Sequence, residues 1–267
     1  MEAFVTYTYA ALFYLAGVIL LAGLGWKIFQ FAFTPAPLKI PVTPAPLTRA
    51  GVVLRLGKEI VLFASLFKSN KWIWVLAVLF HAGLLLVIIR HLRYFIEPVP
   101  LWLALAQPFG IYAGFAMMAG LAGLWARRFL VERVRYVTGP SDHLMLFLLL
   151  FIGFSGLMMK FVSRTDIIQV KTFFQGLIYF QIQPLPLDIP LLVHLMLVII
   201  LLIVFPFSKL LHAPGIVFMP SRYQVDNARE KRHIVRWVKK MMQQMDEEED
   251  AAEESAKSPA EKIAEKA

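Results

Sequence analysis

WIWVLAVLFHAGLLLVIIRHLRYF, residues 72 to 95, is apolar almost throughout, and its only charged or imidazole side chains are His81, Arg90, His91 and Arg93. A helix rises about 1.5 Å per residue, so about 20 such residues cross a hydrocarbon core of about 30 Å. The stretch therefore predicts a transmembrane helix that carries two imidazoles. Similar runs flank it. Phe4 to Phe33, Leu101 to Ala126, His143 to Val162 and Leu191 to Leu211 bring the expectation to about five spans. Only 17% of the residues are charged, against about 25% in soluble domains. The fold class expected is an all-α integral membrane bundle, with an interfacial helix and a partly disordered cytoplasmic C-terminal tail.

Between the spans the composition changes. Pro35, Pro37, Pro41, Pro44 and Pro46 make a connector that no helix sustains. Gly51 to Phe67 mixes apolar residues with Arg55, Lys58 and Glu59, which suits a helix lying on the membrane surface; a cap over a partner is the other reading. In the third span Gly110, Gly114, Gly120 and Gly123 would admit close helix neighbours. Thr165 to Asp188 reads as a mixed connector, and Pro206 as a kink within the fifth span. Met1-Glu2-Ala3 lacks the basic region of a secretory signal, so the first apolar block is expected to be retained as a span.

Three regions are expected. Residues 1–215 form the membrane domain, including the surface helix at about 51–67. Residues 216–245 are a basic amphipathic segment, in which Ile234, Trp237 and Met241 recur at helical spacing. Residues 246–267, opening on Asp246-Glu247-Glu248-Glu249-Asp250, are acidic and expected to be disordered. The basic segment suits anionic lipid or a soluble partner. Nucleic acid is not expected, because membrane topology accounts for the net charge of +9.

Topology follows from the basic residues. Lys27, Lys39, Arg49, Arg55, Lys58, Lys68, Lys71, Arg127, Arg128, Arg133, Arg135 and the C-terminal cluster fall on one side, and Arg90, Arg93, Lys160, Arg164 and Lys171 on the other. The richer side is expected to be cytoplasmic. That puts the chain in the cytoplasmic (inner) membrane, N-terminus outside and C-terminus inside.

The second and fifth spans run antiparallel, so their histidines meet in pairs: His81 with His212 on the inner side, His91 with His194 on the outer. A lone membrane histidine often does no more than bond a neighbouring helix, but two opposed pairs suit two b-type haems. Each haem takes one imidazole on each face of its iron, which leaves no open position and favours electron transfer. The axial distances conflict: His81 and His91 lie about 15 Å apart on an ideal helix, His194 and His212 about 27 Å. Tilt, the Pro206 kink or a His212 beyond the regular helix would absorb the difference. His143 and His233 read as an interfacial and a solvated residue. The chain has no cysteine, which excludes iron–sulfur clusters held by this chain and covalent haem attachment.

The spacings His81…His91 and His194…His212 resemble those of the gamma subunit of respiratory nitrate reductase, a five-span dihaem cytochrome b. The segments HAGLLLVIIRHLRYF (81 to 95) and PFSKLLHAPG (206 to 215) are more similar to the DsrM type, the membrane cytochrome of the complex associated with dissimilatory sulfite reductase. The resemblance, over roughly residues 1 to 240, implies two haem b and exchange of electrons with menaquinone or ubiquinone near the outer pair. It also implies a cytoplasmic iron–sulfur partner, heterodisulfide-reductase-like or nitrate reductase beta-like, and further membrane and periplasmic subunits. The lysine that helps bind quinol in the nitrate reductase subunit has no counterpart in the third span. Arg90, Arg93, Lys160 and Lys171 remain as quinone candidates by side and charge, and Arg90, Arg93 and Lys209 as neighbours for haem propionates. Each is also placed to act as an interfacial basic residue. Two other classes stay open: a non-redox anchor whose histidines only pack, and a transporter whose histidines relay protons.

Overall fold

The computed structural model describes residues 1–35, 37–39, 44–226 and 235–256. Pro41, Arg229, Lys231, Arg232, His233, Ile234 and the chain after Ala256 lie outside the described residues. The helices are α1 (Glu2–Phe33), α2 (Arg49–Leu62), α3 (Ala64–Ser69), α4 (Lys71–His91), α5 (Leu101–Leu130) and α6 (Glu132–Tyr136). They continue with α7 (Pro140–Met158), α8 (Ile167–Ile178), α9 (Ile189–Val204), α10 (His212–Phe218), α11 (Pro220–Tyr223) and α12 (Arg236–Ala256). Among the described residues five helices are long and apolar enough to cross a membrane: α1, α4 with its 3₁₀ extension to Tyr94, α5, α7 with its π-turn to Ser163, and α9 with the turn to Phe207. The protein is an all-α membrane bundle.

The tightest contact is the antiparallel pair α4–α5. A Cβ built on Gly120 would lie 2.7 Å from the Phe80 nitrogen and 2.8 Å from the Leu76 carbonyl oxygen. From the other side, a Cβ on Gly83 would meet Ala113 O and Met117 N at 2.8 Å each. The obstacles are backbone, so only glycine permits this approach. His81 sits on α4 within this stiff pair.

The expected surface helix breaks in two. Phe63 adopts a left-handed conformation (φ 48°, ψ 45°) between α2 and α3, and Glu59 accepts from the Ser65 amide at 3.1 Å across the break. The turn brings the Phe63 ring to 5.1 Å from that of His81, centre to centre.

The segment read as a mixed connector contains α8, which belongs to the core. Val170, Phe173 and Leu177 on α8 pack with Ala10 of α1 and with Leu185, Leu191 and Leu195. The polar ends are satisfied locally: Tyr9 donates to the Leu192 carbonyl and Tyr14 to the Leu177 carbonyl, both at 2.9 Å. The helix α12 runs through Asp246–Asp250, a stretch expected to be disordered.

The fifth span ends earlier than expected. After Val204 the chain makes one 3₁₀ turn at Phe205–Phe207, extends at Ser208 (φ −110°, ψ 173°), and makes another at Lys209–Leu211 before α10 begins at His212. Pro206 lies in the first turn, where it lacks the amide a continuing helix requires. His212 therefore stands on a separate short helix, and the ideal-helix separation of His194 and His212 does not apply.

Candidate functional site

All four membrane histidines meet as the antiparallel geometry requires. His81 and His212 have ring centres 6.1 Å apart with planes at 88°. His91 and His194 have ring centres 6.5 Å apart with planes at 15°. Their Nδ1 atoms all have a hydrogen-bond partner. His81 Nδ1–H donates to Ala77 O at 2.8 Å, His91 Nδ1–H to Val87 O at 2.6 Å and His212 Nδ1–H to Lys209 O at 2.9 Å. A carbonyl only accepts, so these three rings carry their proton on Nδ1. His194 Nδ1 lies 2.9 Å from Ser155 Oγ. The serine hydroxyl is itself directed at Ile152 O, at 3.0 Å, so here too the ring is the donor. Every ring then keeps its lone pair on Nε2.

This arrangement fits an axially ligated metal. Two metal–imidazole bonds of about 2.0–2.1 Å, with each ring centre about 1.1 Å further out, separate the centres by roughly 6.3 Å. The two pairs fall on either side of that distance. Nδ1–H donation to a carbonyl or hydroxyl is also how ligand histidines are held in their tautomer. No group of three or more His, Asp or Glu that could hold a bare metal ion occurs among the described residues. A pair of imidazoles suits a metal that brings its own equatorial ligands, as haem iron does.

The basic candidates separate by position. Arg90 donates to Gln107 O at 2.6 Å, and Arg93 to Gln107 Oε1 at 3.2 Å. Lys171 of α8 pairs with Glu97. Arg93, Val99, Ala104, Gln107 and Lys171 line a cleft of about 290 Å³ at the end of α4 that carries His91. Lys160 is exposed in the π-turn and outside that cleft. Lys209 turns to the buried Asp142, 2.7 Å away, with Arg128 at 3.8 Å from the same carboxylate. His143 accepts from Trp125 Nε1 at 3.0 Å, away from both pairs.

Sequence reasoning missed Phe63, Gln107, Asp142 and Ser155. Ser155 and Asp142 lie on the fourth span, which holds none of the four paired histidines. The local signal available was a buried-polar one: a serine and an aspartate in or beside an apolar helix require partners.

Two facing imidazole pairs in a bundle of membrane-spanning helices, one with near-parallel rings and one with perpendicular rings, define the class: a helical membrane protein with two paired-histidine sites. The chain belongs to the nitrate reductase gamma subunit family, whose match covers residues 63–237 and thus all four histidines. It is 32% identical, over 86% of its length and 82% of the relative's, to the Hdr-like menaquinol oxidoreductase cytochrome b-like subunit of Archaeoglobus profundus. The protein of the same description from Archaeoglobus fulgidus is 34% identical over 84% of this chain and 81% of its own. The nitrate reductase gamma chain of Bacillus subtilis is 29% identical over 54% of this chain and 72% of its own.

Proposed function

We propose that this chain is a dihaem cytochrome b subunit that carries electrons between quinol on the outer side of the membrane and an iron–sulfur partner on the cytoplasmic side. The observation that carries the proposal is the pair of imidazole couples at haem-ligating separation, each ring holding its proton on Nδ1 and its lone pair on Nε2. His81 and His212 would hold the inner haem, His91 and His194 the outer. When bound, the haems supply one-electron carriers at two depths. The residues of the chain fix the axial ligands, exclude water with apolar side chains and set local charge.

The outer cleft is where a quinol head group would bind. Gln107 accepts from Arg93 through its side-chain oxygen and from Arg90 through its backbone carbonyl, and Lys171 lines the same cleft. Quinol oxidation there releases two protons and two electrons; with the N-terminus outside, the protons leave on the outer face while the electrons pass inward. The basic inner surface and the absence of cysteine support an iron–sulfur partner held by another chain. The longer, closer match to the Hdr-like menaquinol oxidoreductase subunits favours menaquinol as donor and a heterodisulfide-reductase-like partner over a nitrate reductase-type one. The likeness of the segments 81 to 95 and 206 to 215 to the DsrM type supports a place in sulfur metabolism, in a complex of the kind associated with dissimilatory sulfite reductase.

The test is anaerobic reduction of the detergent-purified protein by a menaquinol analogue, followed at the haem absorption bands. Reduction of both haems by quinol is expected. Haems that dithionite reduces but quinol does not would contradict the quinol-side assignment.

A further inference from the structure

Three of the four paired histidines rest on carbonyls of their own segment, at Ala77, Val87 and Lys209. His194 differs. Its acceptor is the side chain of Ser155, contributed by a third helix, α7. Both residues are buried, each at 8% exposure, so the contact is shielded from solvent. Ser155 can donate its own proton to Ile152 O, at 3.0 Å, which leaves its oxygen free to accept from the ring. The neighbouring Gly156 brings α7 against the same ring: a Cβ there would lie 3.4 Å from His194 Cε1. One small-residue patch of α7 thus holds both the donor nitrogen and an edge of the imidazole.

We infer that Ser155 is the positioning residue of the outer site: it fixes the Nδ1–H tautomer of His194 and holds down the potential of the outer haem. The inference rests on the dihaem reading above. An acceptor on Nδ1–H makes the imidazole a stronger electron donor through Nε2, which favours the oxidised metal. At the other three ligands that acceptor is backbone and no side-chain substitution removes it. At His194 the nearest acceptor is a side-chain hydroxyl, with the Ile152 carbonyl beside it.

The experiment is a redox titration, with electron paramagnetic resonance of the oxidised protein, on the wild type, Ser155→Ala and Ser155→Thr. Expected in Ser155→Ala are an upward shift of the outer midpoint potential, an altered outer low-spin signal and an unchanged inner haem. Threonine keeps the hydroxyl and should return both to wild-type values. Loss of the outer haem alone in the alanine variant, with retention in the threonine variant, supports the same role. Unchanged potentials and signals in Ser155→Ala would overturn it, as would equal effects of alanine and threonine, which mark packing rather than the hydrogen bond. A wild-type protein with two haems and an indifferent Ser155→Ala removes this inference alone; a haem-free wild type removes the dihaem reading as well.

Discussion

Asp142, in the first turn of α7, holds the Lys209 ammonium at 2.7 Å, and the carbonyl of the same Lys209 accepts the Nδ1–H of His212 at 2.9 Å. The carboxylate is buried and also accepts from the Gly139 amide at 3.1 Å. Arg128, at the end of α5, approaches it to 3.8 Å. Two helices, α5 and α7, therefore converge on the turn that presents His212. Because that turn is irregular, with extended backbone at Ser208, its position depends on such anchors rather than on helix continuity.

Replacing Asp142 by Asn should loosen the inner site selectively. The ion pair is half-exposed, since the Lys209 side chain is 77% accessible, so the stability cost is about 1 kcal/mol rather than that of a fully buried pair. The informative measurement is haem retention during prolonged dialysis, with the inner haem lost faster and the outer one unaffected.

Single alanine substitutions of the histidines should separate by pair. His91→Ala and His194→Ala are each expected to remove the outer haem, and His81→Ala and His212→Ala the inner one. Haem content per chain and the missing component of the redox titration identify which is lost. A variant that removes both would argue for a coupled site.

At the outer cleft, Arg93→Gln should slow quinol-driven reduction by about tenfold or more, the effect of losing a charge-assisted hydrogen bond of about 1.5 kcal/mol. Dithionite-reducible haem should be unchanged. Lys160→Gln, outside the cleft, should leave the rate as it is.

The α4–α5 approach gives a stability prediction. Gly120→Val would drive a side chain into the Phe80 and Leu76 backbone, and overpacking of this kind costs about 1–3 kcal/mol or more. Lower yield of haem-loaded protein and a lower thermal midpoint are expected. Gly17→Ala, where a Cβ meets nothing within 4 Å, serves as the control.

Long apolar runs made the spans legible, and two histidines on each of two antiparallel spans made the pairing legible. Helical periodicity misjudged the end of the fifth span, because the 3₁₀ turns around Pro206 and the extended Ser208 shorten the path to His212. α8 was missed because it is short and carries Gln169, Lys171 and Gln175, although Val170, Phe173, Phe174 and Leu177 follow helical spacing. Ser155 and Asp142 depend on contacts between residues 39 and 67 positions apart, which no local pattern reveals.

A reduced-minus-oxidised spectrum of the detergent-purified protein from a haem-replete host, with pyridine-haemochrome quantitation, tests whether four histidines hold two haems. About two b-type haems per chain are expected from the dihaem reading. Well-folded protein with no haem would contradict it and leave the paired imidazoles as helix packing in a membrane anchor.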